Sequence, residues 1–429
     1  MSAAGEVIAA PARAREHAAP PAASGRRTLW SVVGAQAVAN LGFFAVIPFL
    51  AGHLSGELGM SAALVGIVLG VRTACQQGMF VLGGTLADRW GPRTLAIAGC
   101  AVRVAGFALL GLATHTGAIL VAAALTGLGG ALLSPSLEST LSTTARGANA
   151  RREWFARFAA IGEVGALAGP ALGALAFGWG MREVCLASAT LFVGLGIVMA
   201  RALPASPAAR RAGGAGSLSG AVRDRRFLAF AAVCSTQLFA WNQLYFALPL
   251  EASASVASPE RLVALMFVTC SLLVAGAQVP LSRALAHIPA GRILRAGFWI
   301  MAAAMLVVPA ARLLALPPEV GILACALALV LGHMLTAPTA LAAVADFAGH
   351  APTGAYHGLV ATAGGIAVLA GNAAVGPLLD PARSAVSGTP ASGWIALTAV
   401  LAASALLVRS TLAPARARPS LFPSKGHPS

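Results

Sequence analysis

Apolar stretches long enough to cross a bilayer recur along this chain twelve times, near 28–51, 61–83, 94–113, 117–142, 155–178, 184–203, 227–250, 262–286, 290–314, 319–344, 354–379 and 392–413. A helix needs about 20 apolar residues to span the hydrocarbon core, and only helices or closed barrels satisfy their own backbone groups there. The pattern predicts an all-helical integral membrane protein with twelve transmembrane helices. Only 10% of the 429 residues are charged, against roughly 25% in an ordinary water-soluble domain.

The formal charge of +15 is almost wholly arginine, because the one lysine is Lys425. A phosphate-cradling ATPase loop and a Schiff-base enzyme both need a lysine in the site, so an ATP-driven pump and lysine covalent catalysis are excluded. The cysteines, Cys75, Cys100, Cys185, Cys234, Cys270 and Cys325, lie singly in apolar runs without the spacing of a disulfide framework or a metal site. No cofactor or metal is expected, and the chain is not read as an enzyme. Arg13, Arg26, Arg89, Arg93, Arg151, Arg210, Arg225, Arg292 and Arg409 fall on the tails and even-numbered connections, whereas the opposite side holds only Arg182, Arg261, Arg312 and Arg383. By the positive-inside rule both termini are cytoplasmic. Charges spread over such loops do not form a nucleic-acid face.

Residues 1–27 and 414–429 read as cytoplasmic tails. The polar stretch 204–226 divides a six-span bundle at 28–203 from a second at 227–413. An offset of 201 positions places Gln36, Pro48 and Gln77 on Gln237, Pro249 and Gln278. Weak duplication of two six-helix halves, with a site between them near the midplane, points to a secondary transporter.

Between spans 2 and 3, Gly84-x-Leu86-Ala87-Asp88-Arg89-x-Gly91-x-Arg93 resembles the loop motif of the major facilitator superfamily. In span 5, Gly165-x-x-x-Gly169-Pro170-x-x-Gly173 resembles the antiporter motif of its proton-coupled exporters, departing at Ala174. The resemblance runs over all twelve spans and is greatest to bacterial multidrug exporters. It implies two pseudo-symmetric six-helix bundles, an inner-membrane location, small-molecule and proton traffic, and a protein acting as a monomer. The loop would latch the cytoplasmic ends through Arg89 and Arg93, with Glu138 and Asp346 as partners, and the glycine stripe of span 5 would seal a contact between the halves. Span 4 lacks the arginine that many such exporters carry, having Ala123 there.

Ionised side chains deep in a span are costly, so Arg72, Arg103 and Glu163 are expected to face the bundle or a wet cavity. Glu163, about 115° round the helix from the glycine stripe, is the expected proton carrier. Arg72 or Arg103 would tune it, although Arg103 also reads as structural. Gln36, Asn40, Phe43, Phe44, Gln76, Gln237, Trp241, Asn242, Tyr245, His333 and Asn372 are the polar and aromatic residues available for substrate contact. Trp30, Trp154, Trp179 and Trp394 read as interfacial anchors. The favoured function is proton-coupled efflux of drugs or amphipathic molecules; import of a metabolite such as a sugar or amino acid is the alternative.

Overall fold

The computed structural model describes residues 23–79, 86, 89–204, 220–348, 354–380 and 391–412. Residues 1–22 of the expected first tail, the whole of the expected tail 414–429, most of the linker, Gly84 and Asp88 lie outside the described residues, and residues 23–27, expected in the first tail, begin the first helix. Every regular element among the described residues is helical. Span 1 is Ala23–Phe44 continued by Ile47–Gly56, and spans 2 to 6 are Ala62–Gly78, Pro92–Leu112, Thr116–Thr144, Ala148–Ala176 and Met181–Ala202. Span 7 is Arg225–Asn242 continued by Ala247–Ser255, and spans 8 to 12 are Pro259–Ala284, Ala290–Leu313, Pro318–Ala348, Gly354–Leu379 and Ser392–Thr411. Ten of these are long and apolar enough to cross a membrane. The other two are span 2, with 17 helical residues described, and span 7, which is split into pieces of 18 and 9 residues.

Local chemistry sets the ends. Ser61 accepts from the Leu64 N–H at the start of span 2, and one Asp224 oxygen accepts from Arg226 and Phe227 at the start of span 7. Gly91 precedes span 3 at φ +83°, a backbone region where a side chain is strained, and Pro92 then begins the helix. Spans 1 and 7 are both broken part-way along their length. Pro48 and Pro249 lack an N–H, and in an unbroken helix their rings would collide with the carbonyls of Phe44 and Tyr245 four residues earlier; the regular ladder ends at Phe44 and at Asn242 and resumes at Ile47 and Ala247. These prolines occupy equivalent places in the duplicated halves.

The first six spans pack mainly as 3 on 4, 3 on 6, 1 on 5 and 2 on 4, and the last six as 9 on 10, 9 on 12, 7 on 11 and 7 on 12. The halves meet through span 2 on span 11, span 5 on span 8, and the outer pieces of spans 1 and 7. Span 2 approaches span 11 most intimately because glycines face it from both sides. A Cβ on Gly66 would stand 2.7 Å from the Asn372 carbonyl oxygen, one on Gly70 2.7 Å from Leu369 Cα, and one on Gly376 2.7 Å from Ala63 Cα. Backbones in lipid associate where small residues let them come this close.

The glycine stripe of span 5 does not perform the interdomain role expected of it. Gly162 lies against Gln36 and Asn40, Gly165 against the Ala37 carbonyl, Gly169 against Phe44 and Gly173 against Ala45 and Phe49, all within the first half. A small-residue stripe records that a helix comes near, and here that helix is span 1. The tryptophan reading divides as well. Trp30 and Trp179 are exposed, whereas Trp154 and Trp394 are buried. Trp154 stacks edge-on with Trp30 at 5.2 Å, with the Arg157 guanidinium 4.7 Å from the Trp154 ring centroid.

Candidate functional site

With twelve spans, Ala23 at the start of span 1 and Thr411 at the end of span 12 fall at the same end of the bundle, called here the terminal end; the other is the distal end. At the distal end the halves are closed. Gly52 of span 1 faces Ser253 of span 7, so that a Cβ on Gly52 would meet the Ser253 hydroxyl oxygen at 2.7 Å. Deeper in, a chain of hydrogen bonds crosses between the halves. Arg72 Nη2 donates to Thr73 Oγ1 at 2.9 Å, Asn242 Nδ2 donates to the same oxygen at 3.2 Å, and Thr73 donates to the Leu69 carbonyl at 3.0 Å. A hydroxyl has one hydrogen and two lone pairs, so Thr73 is fully used. Asn372 Nδ2 then donates to Asn242 Oδ1 at 2.8 Å, and Gln243 Nε2 donates to Asn372 Oδ1 at 3.1 Å.

Asn242 and Asn372 are therefore not substrate contacts in this conformation. They are 4% and 0% exposed and form the buried lock where spans 2, 7 and 11 meet. An amide in an apolar helix requires partners, and here other amides supply them.

At the terminal end a cavity of about 600 Å³ lies between the halves. Gln77 and Glu138 line it from the first half, and Gln237, His333 and His357 from the second, among apolar residues such as Leu238 and Val344. Gln237 Nε2 lies 2.5 Å from His333 Nδ1, and Trp241 stacks on the His333 ring at 3.9 Å with planes 28° apart. Of the expected substrate contacts, Gln237 and His333 line this space. Gln77 and His357 line it too without having been marked as site residues; a polar side chain near the terminal end of an apolar span was the available signal.

The other expected contacts lie nearer the midplane. Phe44 meets Tyr245 at 6.4 Å and Phe267 at 6.2 Å, and Tyr245 meets Phe267 at 5.0 Å, which forms an aromatic cluster across the two halves. Gln36 donates to Asn40 Oδ1, and Asn40 donates to the Gly162 carbonyl at 2.9 Å, so this pair ties span 1 to span 5. Phe43 has the Arg72 guanidinium 5.0 Å from its ring centroid and that of Arg103 5.7 Å away. Gln76 Oε1 accepts from Arg72 Nη1 at 3.0 Å.

The expected coupling triad does not assemble. Among the described residues neither Arg72 nor Arg103 pairs with Glu163. Glu163 is open on one face of span 5, within electrostatic reach of Tyr245, while both arginines point to Phe43 from spans 2 and 3. The latch partners are likewise apart. Arg93 Nη2 donates to the Ala200 carbonyl at the end of span 6 at 2.5 Å, and among the described residues neither Arg89 nor Arg93 forms an ion pair with Glu138 or Asp346. Glu138 instead borders the cavity, which holds the terminal ends of spans 4 and 10 apart.

Comparison with known proteins agrees with this architecture. The profile of the Major Facilitator Superfamily matches residues 32–372. An uncharacterized MFS-type transporter of Mycobacterium tuberculosis (strain ATCC 25618 / H37Rv) is 35% identical over 382 residues, covering 86% of this chain and 89% of that one. The multidrug resistance protein MdtH of Aeromonas hydrophila is 32% identical over 215 residues, covering 49% of this chain and 53% of its own length. In fold the chain is similar to the crystal structure of an auto-inhibited POT family peptide transporter, with a TM-score of 0.73 at 17% identity over 94% of this chain and 99% of that one. Two helix bundles around a cavity, closed at one end and joined along spans 2 and 11, are thus found in a chain that belongs to the Major Facilitator Superfamily of membrane transporters.

Proposed function

We propose that this protein is a proton-coupled exporter that moves amphipathic small molecules across the bacterial inner membrane by alternating access. The observation that carries the reading is the cavity of about 600 Å³ at the terminal end, set against a distal end closed by paired helices and amides. With both termini cytoplasmic, as the arginine distribution argues, this cavity loads from the cytoplasm. Its lining of apolar residues with a few polar groups suits an amphipathic ligand. The partial match to MdtH and the antiporter-like span 5 support export over import of a metabolite.

In this reading Glu163 carries the proton. It stands on the open face of span 5, away from the stripe packed on span 1 and within electrostatic reach of Tyr245 of the other half. Rocking of the halves would change what surrounds it, and a carboxylate whose surroundings alternate can take up and release a proton. Arg89, Arg93, Glu138 and Asp346 would meet when the terminal end closes.

The test is efflux of amphipathic dyes from cells expressing the chain, with and without a protonophore, beside Glu163→Gln. Protonophore-sensitive efflux that loses its pH dependence in Glu163→Gln is the expected result. Efflux with unchanged pH dependence in that variant removes Glu163 from the coupling. Dye accumulation, in place of extrusion, reverses the direction.

A further inference from the structure

Two guanidinium groups lie buried inside the first half. Arg72 is 6% exposed and Arg103 5%. Among the described residues no carboxylate forms an ion pair with either. Each guanidinium carries five N–H donors and cannot shed its charge. Arg72 uses two of its nitrogens, on Gln76 and Thr73, and its buried Nε has no acceptor. Arg103 touches the faces of Phe43 and Phe192, at 5.7 and 4.9 Å from their centroids, and its buried Nε also has no acceptor. The two arginines are within electrostatic reach of each other, so each makes the other's burial more costly.

Span 4 lets them in by close packing. A Cβ on Gly130 would stand 2.7 Å from Arg103 Nη2 and 3.3 Å from Gln76 Cδ, so the glycine's missing side chain is the space that the Arg103 tip and the Gln76 amide themselves fill as they converge. Phe43 stands between the guanidinium groups and the aromatic cluster, packed edge-on against Phe44 at 5.2 Å. Phe43 and Phe44 are both half-buried, and Phe44 meets Tyr245 and Phe267 of the second half.

Buried charges in proteins are paired, and two buried arginines that converge with unused donors lack that partner among the described residues. We propose that the partner is the substrate, and that this transporter takes an amphipathic organic anion. The acidic head sits on Arg72, Arg103 and Gln76, and the apolar body lies along Phe43, Phe44 and Tyr245. Arg72 also donates to Thr73, the first member of the chain that closes the distal end, so the group that receives the anion is bonded to the lock. The proposal rests on the transporter reading for the fate of the ligand, while the binding claim stands apart from it.

The test uses full-length purified protein with fluorescein and rhodamine 6G, two dyes that share a xanthene ring system and carry opposite charge at mildly alkaline pH. Binding is read by fluorescence anisotropy in detergent, and movement by dye uptake into proteoliposomes. Fluorescein is expected to bind and rhodamine 6G is not. Arg72→Gln and Arg103→Gln should each weaken fluorescein binding by about thirtyfold or more, with Arg→Lys at either position intermediate, because lysine keeps the charge but not the fork. Thermal unfolding of the empty proteins separates a binding role from a structural one. Arg103→Met, which removes an uncompensated buried charge, should leave the midpoint unchanged or raise it while fluorescein binding is lost. Rhodamine 6G bound and moved in preference to fluorescein overturns the anion site and leaves the transporter reading standing. Fluorescein bound but never moved keeps the anion site and removes the transporter reading. Wild-type protein that does not bind fluorescein, or folded glutamine variants that bind it as tightly as wild type, overturns the proposal.

Discussion

Replacing Asn372 with leucine keeps the size of the side chain and removes both hydrogen bonds that it makes at the distal lock. Asn242 Oδ1 then loses its donor, and Gln243 Nε2 keeps only the Phe239 carbonyl. One buried acceptor left unpaired costs about 1–3 kcal/mol, and one net hydrogen bond contributes about 1 kcal/mol more, so the closed distal end loses about 2–4 kcal/mol. Separation of spans 2, 7 and 11 would let water reach these amides, and the penalty would vanish in that arrangement. The balance between closed and open distal ends should therefore shift by about thirtyfold to a thousandfold. Ser253, packed against Gly52 in the closed state, is the reporter position. Reaction of Ser253→Cys with a membrane-impermeant maleimide should speed up by at least about tenfold in Asn372→Leu, against the slow background of native cysteines, five of them buried. An unchanged rate in correctly folded protein would refute the assignment of this amide chain as the lock.

Three further outcomes follow from the packing. Gly70→Val would drive its side chain into the Leu369 backbone, so distal closure should fail and the same Ser253→Cys probe should label rapidly, with the thermal midpoint nearly unchanged because the clash exists only in the closed state. Gly165→Val presses instead on the Ala37 carbonyl inside one half, and should lower the thermal unfolding midpoint by several degrees, about 1–3 kcal/mol of overpacking, in every conformation. Trp241→Ala removes the ring stacked on His333 at the cavity, and should raise the apparent KM of a transported dye about threefold to tenfold with little change in the amount of folded protein.

The positions of the spans were legible in the sequence, because hydrocarbon imposes a length and a composition that no soluble context imitates. The run at 354–379 coincides with the helix Gly354–Leu379, and 290–314 differs from Ala290–Leu313 by a single residue. The breaks in spans 1 and 7 were half-legible: the offset paired Pro48 with Pro249, and only the backbone shows that each proline interrupts its ladder. What each polar side chain faces was not legible. Gln237 and Asn242 lie five residues apart on one span, yet the first borders the cavity and the second is sealed in the lock. The small-residue signal was ambiguous in the same way. Gly165 and Gly66 both announce a close helix, and only the fold shows that the first packs within a half and the second between halves.

The contact of span 2 on span 11 has a mechanical consequence. Backbone lies against backbone there, and helices in lipid gain no hydrophobic energy by touching, so the adhesion is almost wholly dispersion. That attraction is short-ranged: a gap of about 0.5–1 Å already forfeits a quarter to a half of each atomic well. Such a seam resists small strains and then parts abruptly, as a magnetic catch does. Bilayer lateral pressure, acting along the whole length of the seam, becomes a control variable for how often it parts.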